Sequence, residues 1–432
     1  MQYRSKSRRV LIISADILPY PNLPTTGAGL RAWSLGQGLL SRGHQVLFSM
    51  PAAATPGREM LLPSEAIHLM WQPGRLVEVI QKASPEVVVV CGWSTLNHLR
   101  QKVELPIALD QHGPLLLERQ FRRVGTRQVN EQEKVMGLSR ADFFSCAGHK
   151  QRSYFEPWLI KSGFLPDDKN IAVIPVSLSP GMPEHQFSEE ITFMYGGVFL
   201  PWQDPTIGLE TLVSRLDALG KGQLRFFGGK HPFVKMDQGI FKTLQARLQK
   251  SSRVKIEPLT PHAQLIEIYR QAHVAIDLMA YNPERTLAFT TRTVEYLWCG
   301  LPVIYNDYAE LSSYIEAYDA GWTVNPQDRL AITRIIDEIL LASPNNMAQK
   351  SMNAQKLVRE RLNWEQTIEP LAQFVQAPSI RANKPVWSQV TSPAPVKNLS
   401  HLLDEARLHY QHGGLKQLVK ETIDFAQRRL QR

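Results

Sequence analysis

Apolar residues occur along the chain in two patterns. Short, almost unbroken runs such as Val10–Ala15, Pro85–Cys91 and His273–Ala280 have the length of a β-strand. Between such runs, apolar residues recur at helical spacing, as they do at Leu30 and Trp33. Unbroken runs are typical of parallel strands covered on both faces, and their alternation with helices is typical of βαβ units. The pattern therefore predicts an α/β fold with parallel sheets.

One such unit, residues 284–304, carries clear signals for the start and the end of a helix. Thr290 or Thr291 is a candidate N-cap, and Gly300 is a stop signal. A short buried strand, residues 302–305, follows directly. In this arrangement the helix N-terminus lies at the carboxyl edge of the sheet, where free N–H groups and the helix dipole can hold a phosphate.

Three charged residues belong to the same unit. Arg285 and Arg292 bracket the helix start and could neutralise a diphosphate. Glu295 lies one turn inside the helix, in a position to bind sugar hydroxyls. The unit therefore predicts a site for a phosphorylated sugar compound.

The first strand of the chain is followed by a glycine loop. Gly27 and Gly29 open the next helix, and Arg31 lies in its first turn. The full dinucleotide-binding fingerprint of three glycines is missing, and glycines also serve ordinary turns. By itself this loop is a weak signal.

His112 follows a strand, residues 105–110, and precedes a glycine. A histidine at the carboxyl end of a strand can present its imidazole to a ligand. The alternative is a structural turn residue. Asp110 could orient the ring or cap the turn.

The run Glu295–Val303, EYLWCGLPV, resembles the acidic helix and Gly-x-Pro-Val turn of GT-B glycosyltransferases, particularly of glycosyltransferase family 4. The resemblance implies an α/β chain of GT-B architecture, with two Rossmann-like domains facing across a cleft. It implies an acceptor-side domain over residues 1–185 and a nucleotide-sugar-binding domain over residues 186–376, whose last helix crosses back to the first domain. Residues 377–432 are expected to form a proline-containing linker and an amphipathic C-terminal helical extension.

In family 4, two glutamates separated by seven residues hold the nucleotide sugar. Glu295 matches the second, which binds the ribose, whereas the first position is Leu287 in this chain. Glu284 is the nearest carboxylate that could substitute for it. The resemblance therefore implies a donor site with a changed sugar contact.

The family also implies phosphate contacts from both domains. Gly196 and Gly197 match the glycine turn that faces the donor, but the Arg and Lys that follow it in many members are absent. Lys230, together with the two arginines of the 284–304 unit, is the candidate replacement.

On the facing domain, the resemblance matches Gly27, Gly29 and Arg31 to a loop over the donor phosphates. It also makes His112 the catalytic candidate, with Asp110 beside it. The histidine is expected to position a hydroxyl group and not to act as a nucleophile.

The activity implied is a hexosyltransferase-type transfer from a nucleoside diphosphate sugar to a glycan, lipid-linked or small-molecule acceptor, as in polysaccharide biosynthesis. Retention at the anomeric carbon, no bound metal and no cofactor beyond the donor are part of that implication. Two alternatives remain open, a nucleotide-sugar epimerase of similar fold and a nucleotide-sugar-binding protein without turnover. Leu287 and the absence of the Arg and Lys after the glycine turn are the reasons for the second.

Composition adds limits on location and partners. The three cysteines, Cys91, Cys146 and Cys299, fall inside strand or helix patterns, which favours a reducing cytoplasm. No apolar run reaches the roughly 18–20 residues of a membrane span. No known nucleic-acid-binding motif accompanies the net charge of +9, so no nucleic-acid partner is expected.

Much of the positive charge lies in the first half of the chain. Residues 1–185 contain 21 Lys and Arg against 15 Asp and Glu, and no acidic residue lies between Arg119 and Asn130. A solvated helix face is the ordinary interpretation of this window. The sharper interpretation is attraction to a phosphorylated acceptor or to an anionic membrane surface, the latter as peripheral association at the inner membrane face.

Overall fold

The computed structural model describes residues 6–384, apart from residues 56, 58–60, 168–169, 233, 235–236 and 383. In this part of the chain, two six-stranded parallel sheets are flanked by helices. The prediction of an α/β fold is therefore confirmed. The expected C-terminal helix, residues 402–430, lies outside the described residues.

The first sheet has the strand order β2-β1-β3-β4-β5-β6. Its strands are β1 (Arg9–Ile13), β2 (Gln45–Ser49), β3 (Val87–Cys91), β4 (Ile107–Gln111), β5 (Phe143–Cys146) and β6 (Ile171–Val173). The helices between them are α1 (Gly27–Ser41), α2 (Ser64–His68), α3 (Leu76–Ala83), α4 (Trp93–Leu96), α5 (Leu115–Phe121), α6 (Arg127–Ser139) and α7 (His149–Lys161).

The second sheet has the strand order β12-β11-β10-β7-β8-β9. Its strands are β7 (Thr192–Val198), β8 (Gln223–Gly229), β9 (Val254–Glu257), β10 (Val274–Asp277), β11 (Val303–Asn306) and β12 (Gly321–Val324). The helices among them are α8 (Thr206–Leu219), α9 (Phe241–Leu248), α10 (His262–Tyr269), α11 (Pro283–Leu287), α12 (Thr291–Trp298) and α13 (Glu310–Tyr318). After the sheet come α14 (Arg329–Leu341), α15 (Pro344–Arg361), α16 (Trp364–Thr367) and α17 (Glu369–Gln376).

Each sheet is covered on both faces, which explains why its strands are unbroken apolar runs. In β1, Val10 and Ile12 pack into one apolar cluster, whereas Leu11 and Ile13 pack into another on the opposite face. Successive side chains of a strand point to opposite faces, so both clusters need apolar residues at every position.

The chain returns to its first domain at the end of the described region. Ile368, Leu371 and Val375 pack in the same cluster as Val10 and Ile12. The sequence pattern predicts a helix over residues 345–375 with a kink at Pro370. Instead α15, α16 and α17 are separate, and Pro370 occupies the first turn of α17, where its missing N–H costs no helix hydrogen bond.

The two domains also contact each other directly. Glu310, at the start of α13, accepts hydrogen bonds from the backbone N–H groups of His149 and Lys150, both at 2.8 Å. These groups begin α7 of the first domain, so a carboxylate of one domain caps a helix of the other. Among the described residues, no helix has the length and apolar character needed to cross a membrane.

Candidate active-site cleft

A cleft with a cavity volume of about 420 Å³ lies between the two domains. Its walls come from the carboxyl ends of strands in both sheets and from the loops that follow them. Open α/β sheets bind ligands at this edge. The cleft is therefore the place to look for the predicted site residues.

Two helix N-termini meet at one point of this cleft. Gly27 begins α1 and Thr291 begins α12, and Thr291 Oγ1 lies 3.5 Å from the carbonyl oxygen of Gly27. Thr290, the N-cap of α12, makes no side-chain capping bond, because its hydroxyl lies 2.8 Å from that of Tyr305. The first N–H groups of α12 therefore face the cleft without a side-chain cap, and the positive ends of both helix dipoles point to the same place.

Glu295 lies one turn inside α12 and lines the cleft, as predicted. His262, at the start of α10, contacts its Oε1 through Nε2 at 2.5 Å. Burial lowers the pKa of His262, but the Glu295 carboxylate outweighs it, so the pKa is raised overall. The other carboxylate oxygen of Glu295 makes no hydrogen bond within the described part of the chain and stays available to a ligand.

Arg292 lines the cleft with much of its charge already engaged. Its Nη2 contacts Asp277 Oδ1 at 2.6 Å, and its Nη1 donates to the carbonyl of Gly196 at 2.8 Å. Its buried Nε has no partner among the described residues. Arg292 therefore offers a ligand one hydrogen-bond donor inside a nearly neutral ion pair.

Arg285 and Glu284 both line the cleft and bind each other. Arg285 Nε and Nη2 contact the two oxygens of Glu284 at 2.5 and 2.7 Å. Glu284 is 2% exposed. Both of its oxygens are engaged, which leaves it poorly placed as the substitute sugar contact that we expected. The side chain of Leu287 does not line the cleft.

Gly196 and Gly197 end β7 at the cleft, and both positions exclude a side chain. A Cβ atom on Gly196 would lie 2.2 Å from the hydroxyl of Tyr269, and one on Gly197 would lie 2.5 Å from Arg292 Nη1. Gly197 also has a φ of 144°, which disfavours other residues. The glycine turn thus lets the Arg292 side chain lie directly against the backbone.

Arg31 and Asp110 lie behind the cleft and not in it. Arg31, 1% exposed, contacts Asp110 through Nε at 3.2 Å and Nη2 at 2.9 Å, and Ser145 donates to the same carboxylate at 2.7 Å. Burial raises the pKa of Asp110, but Arg31 and the hydrogen bonds lower it overall. The structure therefore removes Arg31 from the residues that can touch a donor, because its guanidinium is enclosed and paired. Gly29 is likewise buried beneath the loop, where a Cβ would overlap the carbonyl of Ile17.

His112 opens into the cleft directly after β4, as predicted. Its Nδ1 lies 4.0 Å from Asp110 Oδ2, which is too long for a hydrogen bond, and has no partner among the described residues. Burial lowers the pKa of His112 despite the opposing effect of Asp110. The ring is therefore neutral at pH 7, and Asp110 supports the strand end without orienting the ring through a hydrogen bond.

Lys230 is exposed and does not line the cleft. The next residue, His231, lines it instead, and its Nε2 contacts Asp16 Oδ2 at 3.1 Å across the two domains. The turn after β8 thus contributes a histidine to the cleft, and its lysine points elsewhere.

Other cleft residues escaped the sequence reasoning. They are polar and partly or fully buried, and include Gln111, Glu118, Arg122, Trp202, Gln203 and His262. Gln111 belongs to β4, and Trp202 and Gln203 belong to the loop after β7, so the strand-end rule could have found them. Glu118 lies in the first turn of α5, six residues after His112, and no motif marks it.

Comparison of the sequence with protein-family models and with curated proteins gives no match. Solved structures do match. A sucrose-phosphate synthase from Thermosynechococcus elongatus has a TM-score of 0.63 at 20% identity, over 84% of this chain and 97% of that chain. A trehalose-6-phosphate synthase, OtsA, has a TM-score of 0.62 at 10% identity, over 86% of this chain and 100% of that chain.

A third structure, described as trehalose-6-phosphate from E. coli bound with UDP-2-fluoro glucose, has a TM-score of 0.59 at 11% identity, over 86% of this chain and 100% of that chain. The likeness extends across both domains, and at these identities it shows the fold. The chain therefore has the GT-B fold of these glycosyltransferases, as the sequence resemblance implied.

Proposed function

We propose that the protein transfers a glycosyl unit from a nucleoside diphosphate sugar to a hydroxyl group of an acceptor. One observation carries the proposal. The N-terminus of α12 opens into the interdomain cleft without a side-chain cap, faces the N-terminus of α1, and has a carboxylate, Glu295, one turn inside. This arrangement offers N–H groups to a diphosphate and a carboxylate to the adjacent ribose.

The donor class has support from the comparisons. The E. coli structure that shares this fold is described as bound with UDP-2-fluoro glucose, a nucleoside diphosphate sugar. The Glu295 oxygen left free by His262 is the group that we assign to the ribose hydroxyls.

The main catalytic contribution is stabilisation of the departing diphosphate. The two helix N-termini supply positive potential, and the unpartnered Nε of Arg292 supplies a donor that requires no reorganisation. Arg285 contributes less, because Glu284 already balances its charge. We propose a hexosyl transfer with retention that needs neither a metal ion nor a further cofactor, since fixed protein charges can meet the leaving group.

His112 positions the reacting hydroxyl from the opposite wall. Its ring is neutral at pH 7, and Nδ1 is free to bond a hydroxyl group. In a front-side reaction the departing phosphate oxygen accepts the proton of the acceptor. Positioning of this kind is worth about 10²-fold in rate.

The acceptor is a glycan, a lipid-linked sugar or a small molecule, and no nucleic acid is involved.

Membrane association has less support than the sequence suggested. Arg119 is paired with Glu133 at 2.6 Å and Arg127 with Glu131 at 2.8 Å. Arg123 is the exposed member of the window without an ion pair among the described residues. A cytoplasmic location is supported by the three free cysteines.

The test is incubation with UDP-, GDP- and dTDP-sugars and candidate acceptors, followed by chromatography of nucleotides and sugars. We expect acceptor-dependent release of the nucleoside diphosphate. An epimerised donor would establish the epimerase alternative, and tight nucleotide binding without turnover would establish the binding protein. His112→Ala should lower turnover about 10²-fold and spare nucleotide binding. His149→Ala, which changes an exposed side chain at the start of α7, is the matched control.

A further inference from the structure

The N-terminal-domain wall of the cleft has three polar side chains whose hydrogen-bonding groups have no partner among the described residues. They are the buried amide of Gln111, the buried Nδ1 of His112 and the partly exposed carboxyl group of Glu118. Buried polar groups are nearly always hydrogen-bonded, so the two buried groups at the wall of a cleft indicate a ligand. None of the three belongs to the N-termini of α1 and α12, to which the proposed function assigns the diphosphate.

Gln111 is the best-enclosed member of the group. It is the last residue of β4, is 2% exposed, and has both Nε2 and Oε1 unpartnered. An amide can donate and accept hydrogen bonds but carries no charge. In this position it can donate a hydrogen bond to one hydroxyl group and accept a hydrogen bond from another.

Glu118 lies seven residues further along the chain, in the first turn of α5. Its Oε1 lies over Gly113, where a Cβ atom would come within 3.1 Å. The charged and titratable groups that act on it are Arg119 and Arg122 on its own helix, Glu284 and Arg285 on α11, and Tyr154 on α7.

The protonation state of Glu118 follows from these neighbours. Burial raises its pKa first, the Glu284 carboxylate raises it further, and the arginines only partly oppose them, so the pKa is about 8. At pH 7 the group is therefore a neutral carboxylic acid, which donates and accepts hydrogen bonds as a hydroxyl group does. Above that pH it becomes an anion beside a second carboxylate.

We propose that Gln111 and Glu118 together form the acceptor subsite and that they select an uncharged polyhydroxy acceptor, a sugar or a polyol. The inference rests on the proposed function and adds the chemical class of its acceptor. Two neutral groups that can each donate and accept hydrogen bonds match the hydroxyl groups of such an acceptor. Gln111 precedes His112 in the chain and Glu118 Oε1 lies over Gly113, so both residues line the cleft next to the residue assigned to orient the hydroxyl group.

The experiment compares wild-type protein with Gln111→Leu, Glu118→Leu and Glu118→Gln. The control is Glu104→Gln, which changes an exposed glutamate that does not line the cleft. The donors are UDP-glucose, GDP-mannose and dTDP-glucose. The acceptor probes are glycerol, glucose and maltose, with glucose 6-phosphate as the charged probe. Initial rates of nucleotide release are measured from pH 6 to pH 9.5, and the Kd for the free nucleotide is measured separately.

We expect each leucine variant to raise the acceptor KM about tenfold or more, because one hydrogen bond to the acceptor is lost. The Kd for the free nucleotide should not change. The wild-type rate with an uncharged acceptor should fall about tenfold per pH unit above pH 8, as the Glu118 proton is lost. Glu118→Gln keeps a neutral donor and acceptor, so it should retain activity at pH 7 and lose this alkaline decline. That variant changes little in volume and tests the inference even where the leucine variants fold poorly.

Three outcomes would overturn the inference and leave the proposed function intact. They are an unchanged acceptor KM in folded Gln111→Leu and Glu118→Leu, the same alkaline decline in Glu118→Gln as in wild type, and turnover only with glucose 6-phosphate or with water. No turnover of any donor by the wild-type protein would contradict the proposed function, and the inference with it.

Discussion

Replacing Arg31 by methionine should destabilise the first domain by an amount typical of a broken buried ion pair. Arg31 is 1% exposed and its partner Asp110 is 0% exposed, so the substitution leaves a carboxylate enclosed without its cation. Arg31 also donates to the carbonyl of Pro175 at 2.8 Å, and that bond is lost as well. The only remaining side-chain partner of Asp110 among the described residues is Ser145.

The size of this loss of stability follows from the burial of the Arg31–Asp110 pair. Removing one partner of a buried pair costs about 3–5 kcal/mol, because the other charge stays desolvated. For a domain of this size that corresponds to a drop of roughly 10 °C in melting temperature. Arg75 makes the same bidentate contact with Glu78 on the surface, at 2.7–3.1 Å, and is the matched control. Arg75→Met should leave the melting temperature unchanged, since water solvates Glu78.

The contribution of Asp110 to stability should depend on pH with opposite sign in Arg31→Met and in the wild-type protein. In the wild-type protein the pKa of Asp110 is lowered, so its stabilising contribution is present above its unfolded-state pKa and is lost as the pH falls through the folded-state value. In Arg31→Met, burial is no longer opposed and raises that pKa. The variant should therefore gain stability as the pH falls from 7 towards 4, and its difference from wild type should shrink.

Differential scanning calorimetry of both variants at pH 7 and pH 4.5 checks these expectations. Adding Asp110→Leu to Arg31→Met should restore much of the loss, because no buried charge remains. Equal melting temperatures for wild type and Arg31→Met at pH 7 would refute the account. So would a difference that grows at low pH.

Three further predictions concern the site, the domain contact and the surface. Glu295→Ala should weaken nucleotide binding by roughly 1.5–3 kcal/mol in calorimetric titration, with an unaltered Kd counting against the ribose assignment. Glu310→Ala removes the carboxylate of α13 that caps α7, an interaction worth about 0.3–2 kcal/mol. The substitution should increase the radius of gyration measured by X-ray scattering. An unchanged radius and proteolysis pattern would mean that this contact does not hold the domains together. Liposome co-sedimentation should show weak, salt-sensitive binding, on the order of 1 kcal/mol for each exposed cation such as Arg123, and equal binding to neutral and anionic vesicles would remove the membrane proposal.

The sheets could be predicted from the sequence because their strands are buried on both faces. The run Val87–Cys91 has no polar position, and few structures other than a covered parallel strand suit such a run. The helix over residues 291–299 was predicted from its cap and stop signals, and the structure places it at Thr291–Trp298. Short helices such as α11 were missed, because its five residues are too few to show periodicity.

The roles of charged residues were harder to predict, because their partners are distant in the chain. Asp110 lies 79 positions from Arg31, and nothing local shows that the two charges neutralise each other inside the domain. Arg292 was correctly assigned to the cleft, but its pairing with Asp277 was not foreseen. Glu118 was missed, because its raised pKa depends on burial in the folded protein and on Glu284 from the other domain.

The return of α17 to the first domain has a consequence for how the protein is synthesised. The apolar cluster around Val10 and Ile12 includes Leu371 and Val375, so this core lacks part of its packing until nearly the whole described chain has left the ribosome. Synthesis proceeds at about 5–20 residues per second, so the incomplete core persists for roughly ten seconds or longer. A nascent chain ending near residue 185 therefore presents an apolar surface to chaperones, although its sheet is complete.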